Sequence, residues 1–181
     1  MKRREFIIGA AALGGTALFA FAESRPDDEQ ELLDVQKDWK QLLPETAGLD
    51  LSTDPVELSE EEWQKRLTPA QFKVLRDEGT EPSGSSPLDR EKRAGIFACA
   101  GCGLPLFTSE MKFDSGTGWP SFFTAIPGHT ATRTDFKIIW PRTEYHCIRC
   151  GGHQGHIFKD GPEPTGERWC NNGVALKFYP A

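Results

Sequence analysis

The chain is short of several things, and each shortage excludes something. Its 21 Lys and Arg are scattered among 27 Asp and Glu, and the formal net charge is −6. No basic patch of the kind that tracks phosphates is present, so nucleic acid and anionic lipid are excluded as main partners. No internal repeat is visible beyond two Cys-x-x-Cys-Gly elements. Cysteine is sparse and odd in number, five in 181 residues, so one thiol is left over from any set of pairs. No long helical pattern separates the short β-type runs of the C-terminal half. Antiparallel pairing is therefore expected over parallel. What is plentiful is aromatic: twelve Phe and five Trp, enough for one aromatic-heavy core.

The N-terminus reads as an address rather than as structure. Lys2, Arg3 and Arg4 against Glu5 form a basic start, and Phe6–Ala22 is an apolar, small-residue-rich stretch ending Ala20-Phe21-Ala22. That ending fits the small-x-small rule for signal cleavage. Arg3-Arg4 with Phe6 resembles the twin-arginine export motif. Residues 1–22 are expected to be removed, leaving a periplasmic or otherwise exported protein with no stable membrane association. The competing reading is an uncleaved anchor, since 17 residues just span a thinned bilayer. The Ala/Gly-rich, weakly apolar character favours cleavage.

Residues 23–56 read as an acidic spacer, with one short helix around Glu29–Leu43 marked by Leu32, Leu33, Val35, Trp39, Leu42 and Leu43. Residues 57–181 form the folded domain. Ser59 with Glu62 is a capping box ahead of Trp63 and Leu67. Thr68-Pro69 with Gln71 opens a second helix, whose inner face is Phe72 and Leu75 and whose end is expected at Gly79. After a Pro/Gly/Ser loop over Glu81–Pro87, strands are expected at Gly95–Ala98, Phe136–Trp140, Glu144–Ile148, His156–Phe158 and Val174–Tyr179. In the last of these, Val174, Leu176 and Phe178 alternate with Ala175, Lys177 and Tyr179.

Cys99-Ala-Gly-Cys102-Gly and Cys147-Ile-Arg-Cys150-Gly carry the strongest chemical signal. A tetrahedral ion needs four soft donors, and each Cys-x-x-Cys turn offers two, with a glycine free to take positive φ behind them. A four-cysteine zinc site is the favoured reading. Two disulfides in an oxidising compartment, or a redox dithiol, remain the alternatives. Zinc uses four cysteines and leaves Cys170, in Arg168-Trp169-Cys170-Asn171-Asn172. A free cysteine is often a small buried hydrophobe. Here a polar setting with one cation nearby makes a reactive thiol an equal alternative, because a cation lowers a thiol's pKa.

Four segments together resemble the methionine-R-sulfoxide reductase B family: Cys99-Ala-Gly-Cys-Gly, Phe113-Asp-Ser-Gly-Thr-Gly-Trp-Pro-Ser-Phe122, His153-Gln-Gly-His-Ile-Phe158 and Arg168-Trp-Cys-Asn-Asn172. They follow the family's order across about Leu58–Tyr179. The resemblance implies a mainly β (α+β) fold: two antiparallel β-sheets, short N-terminal helices and a zinc site of four cysteines. It implies reduction of the R epimer of methionine sulfoxide in proteins. Cys170 would be the nucleophile and would pass through a sulfenic acid. His156 would be the proton donor with His153 beside it, Asn172 would orient the donor or substrate, and Arg168 would favour thiolate. Trp119 would face the substrate's S-methyl group, an apolar contact suited to an indole. Phe122 extends that wall in this reading, whereas Phe123 is assigned to the core.

In one place the chain departs from the family pattern. Many members carry a resolving cysteine just before the Gly-Trp-Pro-Ser-Phe run, and here the position is Thr117. With four cysteines on zinc, an external thiol such as a thioredoxin-like domain is expected to resolve the sulfenic acid. Two rival readings stand beside this one. Cys170, His156 and Asn172 have the residue types of a Cys-His-Asn hydrolase. A zinc-ribbon-like binding module would make Cys170 incidental.

Overall fold

The computed structural model describes residues 26–44, 49–136 and 141–181. The expected export signal, residues 1–22, lies outside the described residues, as do residues 137–140 of the expected strand at Phe136–Trp140. Among the described residues no helix is long and apolar enough to cross a membrane.

Three α-helices precede the strands among the described residues: α1 (Pro26–Lys37), α2 (Glu60–Arg66) and α3 (Pro69–Leu75). Both short helices start where their capping boxes predict. The Ser59 hydroxyl accepts the Glu62 N–H while Glu62 accepts the Ser59 N–H, and Thr68 with Gln71 repeats the exchange. The reciprocal bonds satisfy N–H groups that a seven-residue helix otherwise leaves unpaired. Their inner faces bury Trp63, Leu67, Val74 and Leu75. Helix α3 stops before Gly79. Glu78 takes the left-handed conformation (φ 54°), and Gly79 N–H closes the end by donating to Lys73 O at 2.9 Å.

Among the described residues nine strands follow, all paired antiparallel in two sheets. They are β1 (Gly95–Cys99), β2 (Pro105–Thr108), β3 (Lys112–Phe113), β4 (Ser121–Phe122), β5 (Thr130–Asp135), β6 (Arg142–Cys147), β7 (His153–Phe158), β8 (Arg168–Asn171) and β9 (Leu176–Pro180). The small sheet has the order β2-β1-β9 and the large one β3-β4-β8-β7-β6-β5. Rings fill the space between them. Phe107 stacks on Phe122 with centroids 4.0 Å apart, Phe97 meets Phe122 edge-on at 5.2 Å, and Tyr145 meets Trp169 at 4.9 Å. Such pairs add about 0.5–1.5 kcal/mol each to the burial of their area.

The strand expected from Val174 begins at Leu176 instead. Gly173–Ala175 is a 3-10 turn, because the Gly173 and Val174 N–H groups are drawn to the Glu81 carboxylate and Ala175 N–H to Asn172 O. The acidic stretch also departs from a solvated spacer. Within the 3-10 segment that follows α1 (Asp38–Leu42), Trp39 is buried edge-on against His129 at 5.2 Å, and within α1 Gln36 Nε2 donates to Thr124 Oγ1 at 2.7 Å. Leu33, on the expected apolar stripe, is exposed.

Candidate functional site

The two cysteine knuckles close identically. Cys99 N–H donates to Leu104 O and Gly103 N–H to Cys99 O; Cys147 N–H donates to Gly152 O and Gly151 N–H to Cys147 O. The glycine after each second cysteine takes positive φ, 79° at Gly103 and 65° at Gly151. Strand β1 ends in one knuckle and β6 in the other, which brings four buried sulfurs within 4.8 Å of one another. Cys99 and Cys150 Sγ are 3.7 Å apart, and Cys102 and Cys147 Sγ 3.5 Å. Sulfurs at the corners of a tetrahedron about 2.3 Å from a central ion lie about 3.8 Å apart, whereas a disulfide needs about 2.05 Å. The cage therefore has the dimensions of a metal site, and all five cysteines are free.

Cys170 sits in the middle of the large sheet. In register it lies opposite Ser121 of β4 on one side and His156 of β7 on the other, and His156 lies opposite Glu144 of β6. Directly opposed residues share a face, so these four side chains form one row. Neighbouring residues alternate, which sends Trp169 and Phe122 into the core. Gly155 permits the close approach of β7 and β8: a Cβ there would lie 1.8 Å from Cys170 O.

A cleft of about 150 Å³ opens over this row, with Trp119, Arg142, His156, Phe158 and Cys170 among its lining residues. His156 Nε2 and Arg142 Nη2 both meet Asp135 Oδ2, at 2.7 and 2.6 Å. A carboxylate only accepts, so Nε2 carries the His156 proton and Nδ1 is the nitrogen left to titrate. Burial lowers the His156 pKa, against the upward pull of Asp135. Burial likewise raises the Cys170 thiol. Arg168 does pull that thiol down, in the expected direction, but burial outweighs it. The guanidinium is shared with Asp160 through a two-pronged pair at 2.9 and 3.0 Å and lies over Phe158 at 4.4 Å.

His153 is close to the cleft but is held through one ring nitrogen only, its Nε2 being buried with no hydrogen-bond partner among the described residues. It is buried beside His156 with ring centroids 5.3 Å apart, and its Nδ1 meets Glu144 Oε1 at 2.7 Å. Burial acts to raise the Glu144 carboxyl, but hydrogen bonds from His146 and His153 prevail and hold it at about 2. Asn172 lines the cleft with both amide atoms occupied: Oδ1 accepts from Glu81 N–H and Nδ2 donates to Gln154 O.

Trp119 rises from a loop with positive φ at Gly116 and Gly118, and its Nε1 donates to Glu81 O at 3.1 Å. Thr117 stands near Cys170's row: its hydroxyl meets Ser115 Oγ, which meets Ser121 Oγ, each at 2.8 Å. Phe122 is not part of the wall. It is fully buried between Phe107 and Phe97, because its neighbour Ser121 occupies the face of Cys170. Phe123, expected in the core, is half-buried. The second aromatic wall is Phe158. Strand parity signals it, since Phe158 lies two residues beyond His156. Asp135, Arg142 and Glu81 carry no local sequence signal, because their partners come from other segments.

The SelR domain profile matches residues 67–180. A Methanosarcina barkeri protein named peptide methionine sulfoxide reductase MsrB is 51% identical over 124 residues, 68% of this chain and 87% of the relative. The Arabidopsis thaliana peptide methionine sulfoxide reductase B1, chloroplastic, is 49% identical over 122 residues, 67% of this chain and 60% of that protein. The Mus musculus methionine-R-sulfoxide reductase B3, mitochondrial, is 45% identical over 140 residues, 77% and 55% of the two chains. The chain belongs to the SelR-domain family of peptide methionine sulfoxide reductases.

Proposed function

We propose that this protein reduces the R epimer of methionine sulfoxide in proteins and peptides to methionine, with Cys170 as nucleophile. The observation that carries this reading is the register pair Cys170–His156 beneath Trp119 in one cleft. Burial keeps both partners neutral at rest, a thiol and an imidazole. On attack, the Cys170 proton passes to His156 Nδ1 and on to the sulfoxide oxygen, so no full charge builds on that oxygen. The Cys170 sulfur bonds to the sulfoxide sulfur, and the oxygen leaves substrate for cysteine. Methionine is released, reduced by two electrons, and Cys170 becomes Cys–SOH. Trp119 and Phe158 receive the S-methyl end of the substrate.

With Thr117 in place of a resolving cysteine, an external thiol attacks Cys170–SOH and expels water. A second thiol of the same reductant then displaces the resulting mixed disulfide and frees Cys170. A thioredoxin-like protein of the same compartment fits this role. Cys99, Cys102, Cys147 and Cys150 would hold Zn²⁺, which would supply no reaction chemistry and would tie the ends of β1 and β6 together. The basic, Arg-Arg-bearing start and Ala-x-Ala ending of residues 1–22 support export by the twin-arginine route to the periplasm. Turnover with each epimer and a dithiol reductant tests the central reading. The R epimer is consumed, and Cys170→Ser abolishes turnover while leaving metal and fold in place. Preference for the S epimer, or full activity without Cys170, overturns it. Cleavage of an ester or amide would favour a Cys-His-Asn hydrolase instead.

A further inference from the structure

Glu81 is a buried acid outside the reaction just described, and four hydrogen bonds converge on it. Its carboxylate accepts Gly173 N–H at 2.6 Å and Val174 N–H at 2.9 Å. Its own N–H donates to Asn172 Oδ1 at 3.0 Å, and its carbonyl accepts Trp119 Nε1–H at 3.1 Å. Among the described residues no cation pairs with it, so backbone N–H groups are what its carboxylate has in exchange for water. A buried acid left with such partners is costly unless its geometry is fixed. Gly173 is fitted to this arrangement: a Cβ there would lie 2.1 Å from Ser86 Oγ and 3.2 Å from Glu81 Oε1.

The convergence joins two parts of the cleft that arrive from distant sequence. Asn172, Gly173 and Val174 directly follow the nucleophile strand that carries Cys170. Trp119 comes from the loop before β4, where Gly116 and Gly118 leave the backbone free to turn. Among the described residues the Glu81 carbonyl is the one hydrogen-bond partner of the indole N–H. Fixing Glu81 to the end of β8 therefore fixes the indole relative to the thiol.

We infer that Glu81 is a positioning residue that sets the indole of Trp119 over Cys170, and with it the affinity for the methyl sulfoxide end of the substrate. The inference rests on the reading of Trp119 as the substrate wall. An apolar wall holds ground state and transition state alike, so its misplacement raises KM and spares kcat. A Gln at position 81 keeps the shape but turns an N–H donor toward a backbone N–H, losing half of the clasp.

The test compares three full-length variants on a peptide methionine-R-sulfoxide with dithiothreitol. They are Glu81→Gln, Trp119→Ala, and Trp119 replaced by 3-benzothienylalanine, which keeps the ring and deletes only the N–H. Cys170 alkylation by iodoacetamide serves as a control for the nucleophile. For Glu81→Gln and the benzothienyl variant, KM rises on the order of ten-fold, kcat stays within about two-fold, and the alkylation rate is unchanged. An unchanged KM in the benzothienyl variant, with KM raised in Trp119→Ala, overturns the role of Glu81. An unchanged KM in Trp119→Ala overturns the substrate-wall reading itself. If Glu81→Gln fails to fold, the benzothienyl variant alone decides. Parallel loss of kcat and alkylation rate in a folded Glu81→Gln protein also overturns the inference, since it marks a general structural role.

Discussion

Replacing Phe122 by Leu separates the two places its ring has been assigned. The sequence resemblance puts Phe122 in the substrate wall, whereas the structure puts it in the core, stacked on Phe107 at 4.0 Å and edge-on to Phe97 at 5.2 Å. The smaller side chain and the residual void cost about 1 kcal/mol. Two aromatic pairs are lost as well, each contributing about 0.5–1.5 kcal/mol. The expected destabilisation is therefore about 2–4 kcal/mol, because the site is fully buried and neither ring can follow Leu without moving a strand. For a domain of this size each kcal/mol lowers Tm by about 3–4 °C, so the loss is about 6–16 °C. Thermal and urea unfolding measure it, and steady-state kinetics at 25 °C measure the alternative. The core assignment predicts unchanged KM for the peptide sulfoxide in the folded fraction. A KM raised ten-fold with Tm unchanged would refute it, because only a ring in contact with substrate behaves so.

Three further outcomes follow from the site. Gly155→Ala forces β7 away from β8, since its Cβ would lie 1.8 Å from Cys170 O; the cost is about 4 kcal/mol or more, read as loss of soluble protein or of the unfolding transition. Arg168→Met removes the cation that pulls the Cys170 thiol down and leaves Asp160, which pushes it up. The pH midpoint of iodoacetamide alkylation then moves to higher pH, and a downward shift would contradict the charge assignment. Glu144, held at about 2, keeps its ionised carboxyl ¹³C shift at about pH 3.5, where an ordinary Glu is mostly protonated. Its folded pKa lies below the unfolded one, so its stabilisation is present above about pH 4.5 and fades as pH falls toward 2. A carboxyl titration near 4.5 would remove that contribution.

What was legible in the sequence is what is encoded locally. The capping boxes at Ser59 and Thr68 place two helices, because cap and partner lie three residues apart. The knuckles at Cys99 and Cys147 are legible for the same reason. Strand β5, Thr-Ala-Thr-Arg-Thr-Asp, has no apolar period: it is a half-exposed edge held by its register with β6, and nothing within six residues announces it. Strand β2 fails oppositely, with Pro105, Leu106, Phe107 and Thr108 all buried and hence no alternation to read. Phe122 was misplaced by reading a motif as a linear wall. Once Ser121 pairs with Cys170, parity turns Phe122 to the other face.

The four-cysteine cage and the cleft are one mechanical unit, and Gln154 is the joint between them. Its position in His153-Gln-Gly-His156 looks like a spacer between two histidines, but the side chain is fully buried and Nε2 donates to Cys99 Sγ at 3.3 Å. Its backbone carbonyl accepts both Asn172 N–H and Asn172 Nδ2, each at 2.9 Å. Asn172 in turn holds Glu81, and Glu81 holds Trp119. A displacement of the Cys99 knuckle therefore reaches the residue two places after Cys170 through one side chain. Strand β6 supplies a second route, since Cys147 closes it at one end while its Glu144 anchors His153 of β7. The four-cysteine cage thus bears on the cleft from outside it: it fixes β7 between the thiol strand and the histidine supports, and catalytic geometry tolerates errors of only about an ångström.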